Sequence, residues 1–276
     1  MKHLFSIMLV LAFLLSPTIS QSQTSLGRVK KEVKSSDKKR KSKTKKGNRS
    51  YSSSSGSSNS SILGAVIYYT TGFVFFGSRK HEEHLNNRRS PYAYFDNYSG
   101  NYVKNTGDDI PKKNGVILKV SDSFLYSDEN LYANHLRAKI HPFNYAYLQF
   151  DYVEFVEKAP TGDEVENLSL FNFNFCYDRV RLDKFNLGWT LGATYIGNDV
   201  NLAGVSFGLN AEAFMVKNIS IESAIKWSHI NSEPVNQFEV LFKYYFKRGV
   251  VNLGYEHHVI ASQEYSLLST GLGVSF

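Results

Sequence analysis

The chain holds a single cysteine, Cys176, among its 276 residues. One thiol cannot close an internal disulfide, so the fold stands without covalent staples. Cys176 is also far from the N-terminus, which excludes a lipid-anchored cysteine at the start of a mature chain. Helical periodicity is missing from Asn114 to Phe276: no stretch of useful length there repeats apolar residues at helix spacing. Catalytic motifs are scarce as well. His81-Glu82-Glu83-His84 brings two histidines close together, but it is not the HExxH of zinc proteases and has no third ligand nearby, so it reads as a solvated charged stretch. His257 and His258 are adjacent on a strand, point to opposite faces and cannot chelate one metal together. No cofactor or metal is expected.

What is present begins with an export signal. Lys2 and His3 form a short positive region, Leu4 to Leu15 is nearly pure apolar, and Thr18 and Ser20 are small residues suited to cleavage before Gln21. Residues 1–20 therefore read as a secretory signal peptide, too short for a membrane span. About 250 residues would remain, enough for one domain plus a tail. The formal net charge of +7 belongs to that tail. Between Arg28 and Arg49 there are twelve Lys and Arg against two acids, whereas from Tyr51 onward nineteen face twenty-three. Residues 21–60 are Lys-, Ser- and Thr-rich and are expected to be a disordered, basic periplasmic arm, since such a composition buries too little apolar surface to offset ordering. Export removes this arm from nucleic acid. Its expected contact is an anionic envelope polymer or lipid phosphate.

Residues 61–77 are apolar on every face and rich in β-branched and aromatic types, which favour strand over helix. They are expected to lie against a barrel or the membrane surface. Residues 78–113, with Pro91, Gly100, Gly107 and Pro111, read as a linker.

Residues 114–276 divide into ten strand-like segments: 114–126, 130–141, 143–157, 166–178, 185–197, 201–214, 218–229, 235–246, 249–260 and 265–276. Their alternation has period two. Phe171, Phe173, Phe175 and Tyr177 share one face against Asn172, Asn174, Cys176 and Asp178, and Phe238, Val240, Phe242, Tyr244 and Phe246 oppose Gln237, Glu239, Lys243 and Tyr245. Segments of twelve to fifteen residues exceed soluble strands and match a tilted membrane crossing. In the last one, Leu268, Leu272, Val274 and Phe276 fall on an apolar face with Gly271 and Gly273 opposite. This ending resembles the closing strand of outer-membrane β-barrels, whose terminal aromatic and alternate apolar residues resemble the signal read by the barrel-insertion machinery. The stretch Ser90–Val103 resembles the tyrosine-bearing segment before the barrel in some Bacteroidetes outer-membrane proteins.

The fold expected is thus all-β: an antiparallel up-and-down transmembrane barrel of about ten strands over 114–276, in the outer membrane, touching lipid and lipopolysaccharide. If the C-terminal edge faces the periplasm, the turns on that side carry His141, Arg179, Lys184, Lys217, Lys247 and Arg248, and the opposite loops all carry acids. Inward faces collect Arg137, Lys139, Glu212, Glu222, Lys226, Glu239, Lys243, Glu256 and His258, a polar network able to plug a narrow lumen. The role expected is non-enzymatic: structural, adhesive or as an assembly partner. A narrow channel for small polar solutes is the alternative. A second is a lipid A-modifying acyl hydrolase, for which His229 and Ser232 sit in a suitable place without the spacing of the enzymes they resemble.

Overall fold

The computed structural model describes residues 24–43, 72–95, 100–104, 115–127, 130–159 and 165–276. Ten antiparallel strands close into a barrel: β3 (Ile117–Tyr126), β4 (Leu131–His141), β5 (Ala146–Lys158), β6 (Val165–Arg181), β7 (Phe185–Ile196), β8 (Leu202–Val216), β9 (Ile219–Ile230), β10 (Glu233–Phe246), β11 (Gly249–Ile260) and β12 (Gln263–Ser275). Each strand pairs with its sequence neighbours, and β12 closes on β3 from Leu268↔Tyr126 to Ser275↔Lys119. The ten segments read from the alternation are these ten strands, displaced by a few residues at their ends. At β6 a bulge between Asp178 and Val180 carries pairing on to Arg181.

The alternation sorts the two faces. Phe173 (58 % exposed), Leu191, Leu253, Leu268 and Leu272 stand on the outside, forming an apolar band such as lipid covers. Asp151, Asn174, Glu239 and Glu256 point inward and are buried. One rim carries the C-terminal Phe276 and the turns at 142–145, 182–184, 217–218 and 247–248; it is called the near rim below. The far rim carries Ser127, Asn130 and Ala159 and the connections at 197–201, 231–232 and 261–262. Its Asn231-Ser232 turn joins β9 to β10 with φ of 56° and 73°, the left-handed pair that a two-residue hairpin demands.

Two segments before the barrel depart from the sequence reading. Helix α1 (Ser25–Lys43) occupies part of what composition assigned to a disordered arm. Thr24 Oγ1 accepts the Gly27 N–H at 3.3 Å, and the Glu157 carboxylate accepts the N–H groups of Ser25 and Leu26 at 3.0 and 2.8 Å. A residue from the barrel thus caps the helix and supplies the negative charge its first turn lacks. Leu26, Val29 and Val33 fall on one stripe and are completely buried, among Leu125, Phe155, Leu168, Ile196, Ile230, Ile260 and Leu267 at the far rim. Tertiary burial of this narrow stripe outweighs the basic composition around it. The helix therefore lies at the end opposite Phe276, not on the C-terminal side where a periplasmic arm was expected. The rest of that arm and the signal peptide lie outside the described residues.

The second departure covers the end of the apolar segment 61–77 and the linker 78–113; residues 61–71 lie outside the described residues. Residues 72–76 form a short helical turn rather than a strand. They lie against the outside of the barrel, with Phe75 and Phe76 edge-on to Trp189 and the Trp189 Nε1–H donating to the Phe75 carbonyl at 3.0 Å. A 3₁₀ turn (Glu83–Asn86) follows, and then β1 (Arg88–Arg89) pairs with β2 (Tyr102–Val103) in the near mouth. Gly100 sits at φ +125° where a side chain would strike the Asp183 backbone, so only glycine lets this ribbon pass the β6–β7 turn. Buried contacts from the barrel wall, absent from the local sequence pattern, order this stretch.

Candidate functional site

Most of the buried charged side chains converge in the barrel interior, which is layered. Below the apolar far mouth, Arg137 is the hub. Its Nη1 and Nη2 donate to the two oxygens of Glu239 at 2.8 Å each, and its Nε donates to Asp151 at 2.6 Å. Asp151 also accepts from Lys226 at 3.0 Å and from Gln149 at 2.9 Å. His135 reaches Glu256 with Nδ1 at 2.9 Å, and His258 Nε2 lies 3.4 Å from the same carboxylate. Ion pairs in such an interior hold only when their remaining lone pairs are also bonded, and here most are.

Toward the near rim the layer is richer in lysine. Glu222 takes Lys139 at 2.8 Å and also pairs with Lys243. Glu212 accepts from Ser220 and Tyr245 at 2.6 Å each, and from Asn101 of the inserted ribbon. At the mouth, Arg89 and Tyr102, both brought by the ribbon, converge on Asp178. Burial pushes the Tyr102 phenol up despite the neighbouring Arg89, so it stays protonated and donates to Asp178. Arg181 donates to the Leu85 carbonyl at 2.8 Å, fixing the 3₁₀ turn to the end of β6.

The nine lumen residues named from the sequence all lie on the inner face. Arg137 and Glu239 meet; Lys139, Lys243 and Glu222 meet; Glu256 and His258 meet. Lys226 reaches a residue outside that set, Asp151, and Glu212 makes hydrogen bonds to neutral groups. Missed were Asp151, His135, Asp178 and Lys119, together with Arg89, Asn101 and Tyr102 of the ribbon. Parity alone would have found the first two: His135 shares a face with Arg137, and Asp151 lies directly across from Arg137 in the β4–β5 register. Leu268, Leu272, Val274 and Phe276 lie on the outer surface.

His81–His84 is a clamp. Glu82 accepts from Arg179 at 2.7 and 2.9 Å, and His84 Nε2 lies 3.2 Å from Glu82. The Arg179 hydrogen bonds hold the Glu82 carboxyl at about 2, below its ordinary 4.5. A charged stretch read as solvated is thus docked on the barrel, because β6 extends to Arg179 and meets it.

His135, Glu239 and Glu256 could offer three ligand atoms within 4.8 Å of one another. Both Glu239 oxygens are already held by Arg137, so a metal ion would have to displace a guanidinium. The donor set fits an ion-pair network and not a metal centre. His229 and Ser232 are both exposed, and no hydrogen bond joins them among the described residues.

Closed sheet, apolar girdle and charged interior define a β-barrel of the outer-membrane type. No family model and no curated protein matches the chain. Among solved structures it is similar to an outer membrane channel from Pseudomonas putida F1, at 8 % identity over 61 % of this chain and 100 % of that one, with a TM-score of 0.35. It is similar to Ail, the attachment invasion locus protein of Yersinia pestis, at 10 % identity over 58 % and 97 %, TM-score 0.29. OprG of Pseudomonas aeruginosa is a third, at 9 % over 59 % and 96 %, TM-score 0.30. Likeness this distant says nothing of what the barrel does.

Proposed function

We propose that this is an integral outer-membrane barrel, exported through cleavage after residue 20, that is sealed by its own N-terminal chain and acts without catalysis. Its role in this reading is structural, adhesive or as an assembly partner. The observation that carries the proposal is the closure of the lumen. Leu26, Val29 and Val33 fill the far mouth, the Arg137–Asp151–Glu239 network crosses the middle, and Arg89 and Tyr102 stopper the near mouth. Ten strands leave little room beyond side chains, so a barrel plugged three times is better suited to presenting surfaces than to passing solutes.

In this proposal Phe276 faces the periplasm, and Leu268, Leu272, Val274 and Phe276 are what the insertion machinery reads. Helix α1 is then at the cell surface, where the Lys- and Arg-rich residues up to Arg49 would meet lipopolysaccharide phosphates or another anionic envelope polymer. The resemblance to Bacteroidetes proteins sets the kind of bacterium expected. Planar-bilayer recording tests the closure: full-length protein should give no single-channel steps, and steps at the wild-type level would favour the narrow-channel reading. Lipid A mass spectra that change in a His229→Ala strain would favour the hydrolase.

A further inference from the structure

The near half of the lumen is not completely filled. A small chamber of about 70 Å³ lies between the Arg137 hub and the inserted ribbon. Five cations line it: Arg89, Lys119, Arg137, Lys139 and Lys243. Arg89 is matched by Asp178, and Arg137 by Glu239 and Asp151. Lys139 and Lys243 share one carboxylate, Glu222. Lys119 makes no ion pair among the described residues; its ammonium donates only to the Asn101 Oδ1, at 3.3 Å. With Glu212 counted against the three lysines, one positive charge is left over.

His141 supplies a second, independent mark. It is 3 % exposed, and neither ring nitrogen has a hydrogen-bond partner. Its ring lies 4.4 Å from that of Tyr147, whose face is also approached by Arg89 and Lys139. His141 and Arg89 also line a second cavity of about 170 Å³ at the near rim, bounded by Pro142–Tyr145. The unpartnered imidazole therefore stands between the rim and the chamber.

We infer that this chamber binds a small oxyanion of phosphate size, held by Lys119 and His141 and reached from the near rim. A half-buried ammonium with no carboxylate partner and a buried imidazole without partners are each costly, and one anion accepting from both satisfies them together. A neutral sugar would satisfy His141 and leave Lys119 unmatched. A divalent cation would meet five basic side chains against three carboxylates, Glu212, Glu222 and Glu256. Glu212 and Glu222 limit the occupant to low charge, which disfavours a polyanion.

The test titrates inorganic phosphate into the full-length barrel refolded in detergent, at constant ionic strength against chloride. The readouts are the midpoint of heat-modifiable gel migration and the phosphorus line width. Phosphate should raise the midpoint and broaden the line where chloride does neither. Lys119→Met and His141→Leu should each weaken the response roughly ten- to a hundredfold, the worth of one charge-assisted hydrogen bond. Lys247→Met, on a near-rim turn, should leave it unchanged. No phosphate effect beyond chloride in the wild type overturns the inference, even if one variant fails to fold. So does an effect that survives both substitutions. Either failure leaves the sealed-barrel reading intact, because closure is measured by conductance.

Discussion

A carboxylate placed on the buried stripe of α1 should release the helix. Val29 is completely buried in the far mouth, midway between Leu26 and Val33. Val29→Asp loses about 1.5–3 kcal/mol of valine burial. If the helix stayed docked, the new charge would sit unpaired in an apolar mouth at a further cost of several kcal/mol. A combined penalty of about 4 kcal/mol raises the undocked fraction roughly a thousandfold, since each 1.4 kcal/mol is a factor of ten. Trypsin reads this directly at Arg28 and Lys30, which are protected while the helix lies in the mouth. Cleavage there should follow the undocked population when reclosing is fast, and so accelerate by about three orders of magnitude. Lys31→Asp, on the exposed side of the same helix, should change it little. Cleavage of Val29→Asp at the wild-type rate, by mass spectrometry of the refolded barrel, would show that burial of the stripe does not hold the helix.

Three further outcomes follow from the same geometry. The Glu82 clamp carries a carboxyl held at about 2, below its ordinary 4.5, so its contribution is full above pH 4.5 and is lost as pH falls through about 2. Trp189 fluorescence in a Trp227→Phe background should be flat from pH 7 to 5 and change below; Glu82→Gln should abolish that change, and a transition centred near pH 6 would refute it. Asp151→Asn leaves Arg137 and Lys226 short of their shared partner and should cost about 3–5 kcal/mol in urea unfolding, whereas Glu166→Gln, half-exposed on the far rim, should cost under about 1 kcal/mol. Phe173→Arg, mid-strand on the outer face, should destabilise the barrel in vesicles by about 2–4 kcal/mol; a neutral effect there would argue that lipid does not cover that face.

Strands were legible because their signal is local. Alternation of Phe171, Phe173 and Phe175 with Asn172 and Asn174 needs only the pleat of one strand to be read, and repetition over ten segments removed the ambiguity. Parity also put the nine charged residues on the inner face. It could not say who meets whom, because Arg137 finds Glu239 from β4 to β10 across the lumen, and that distance exists only once the sheet has closed.

The N-terminal third shows the opposite balance. Leu26, Val29 and Val33 form a three-residue stripe at helical spacing inside a lysine-rich run, too weak by itself to hold a helix in water. The far mouth gives that stripe a matching apolar surface, and Glu157 gives the helix its cap. Arg89, Asn101 and Tyr102 likewise look like linker residues until Asp178 and Glu212 are brought to the near mouth. Sequence alone therefore determined the barrel, its approximate strand count and the polarity of its two faces, since each rests on neighbours two residues apart. Closure of the lumen, the partners of its charges and the spare cation beside His141 were decided by tertiary structure, since each depends on groups that come together only when the barrel has formed around them.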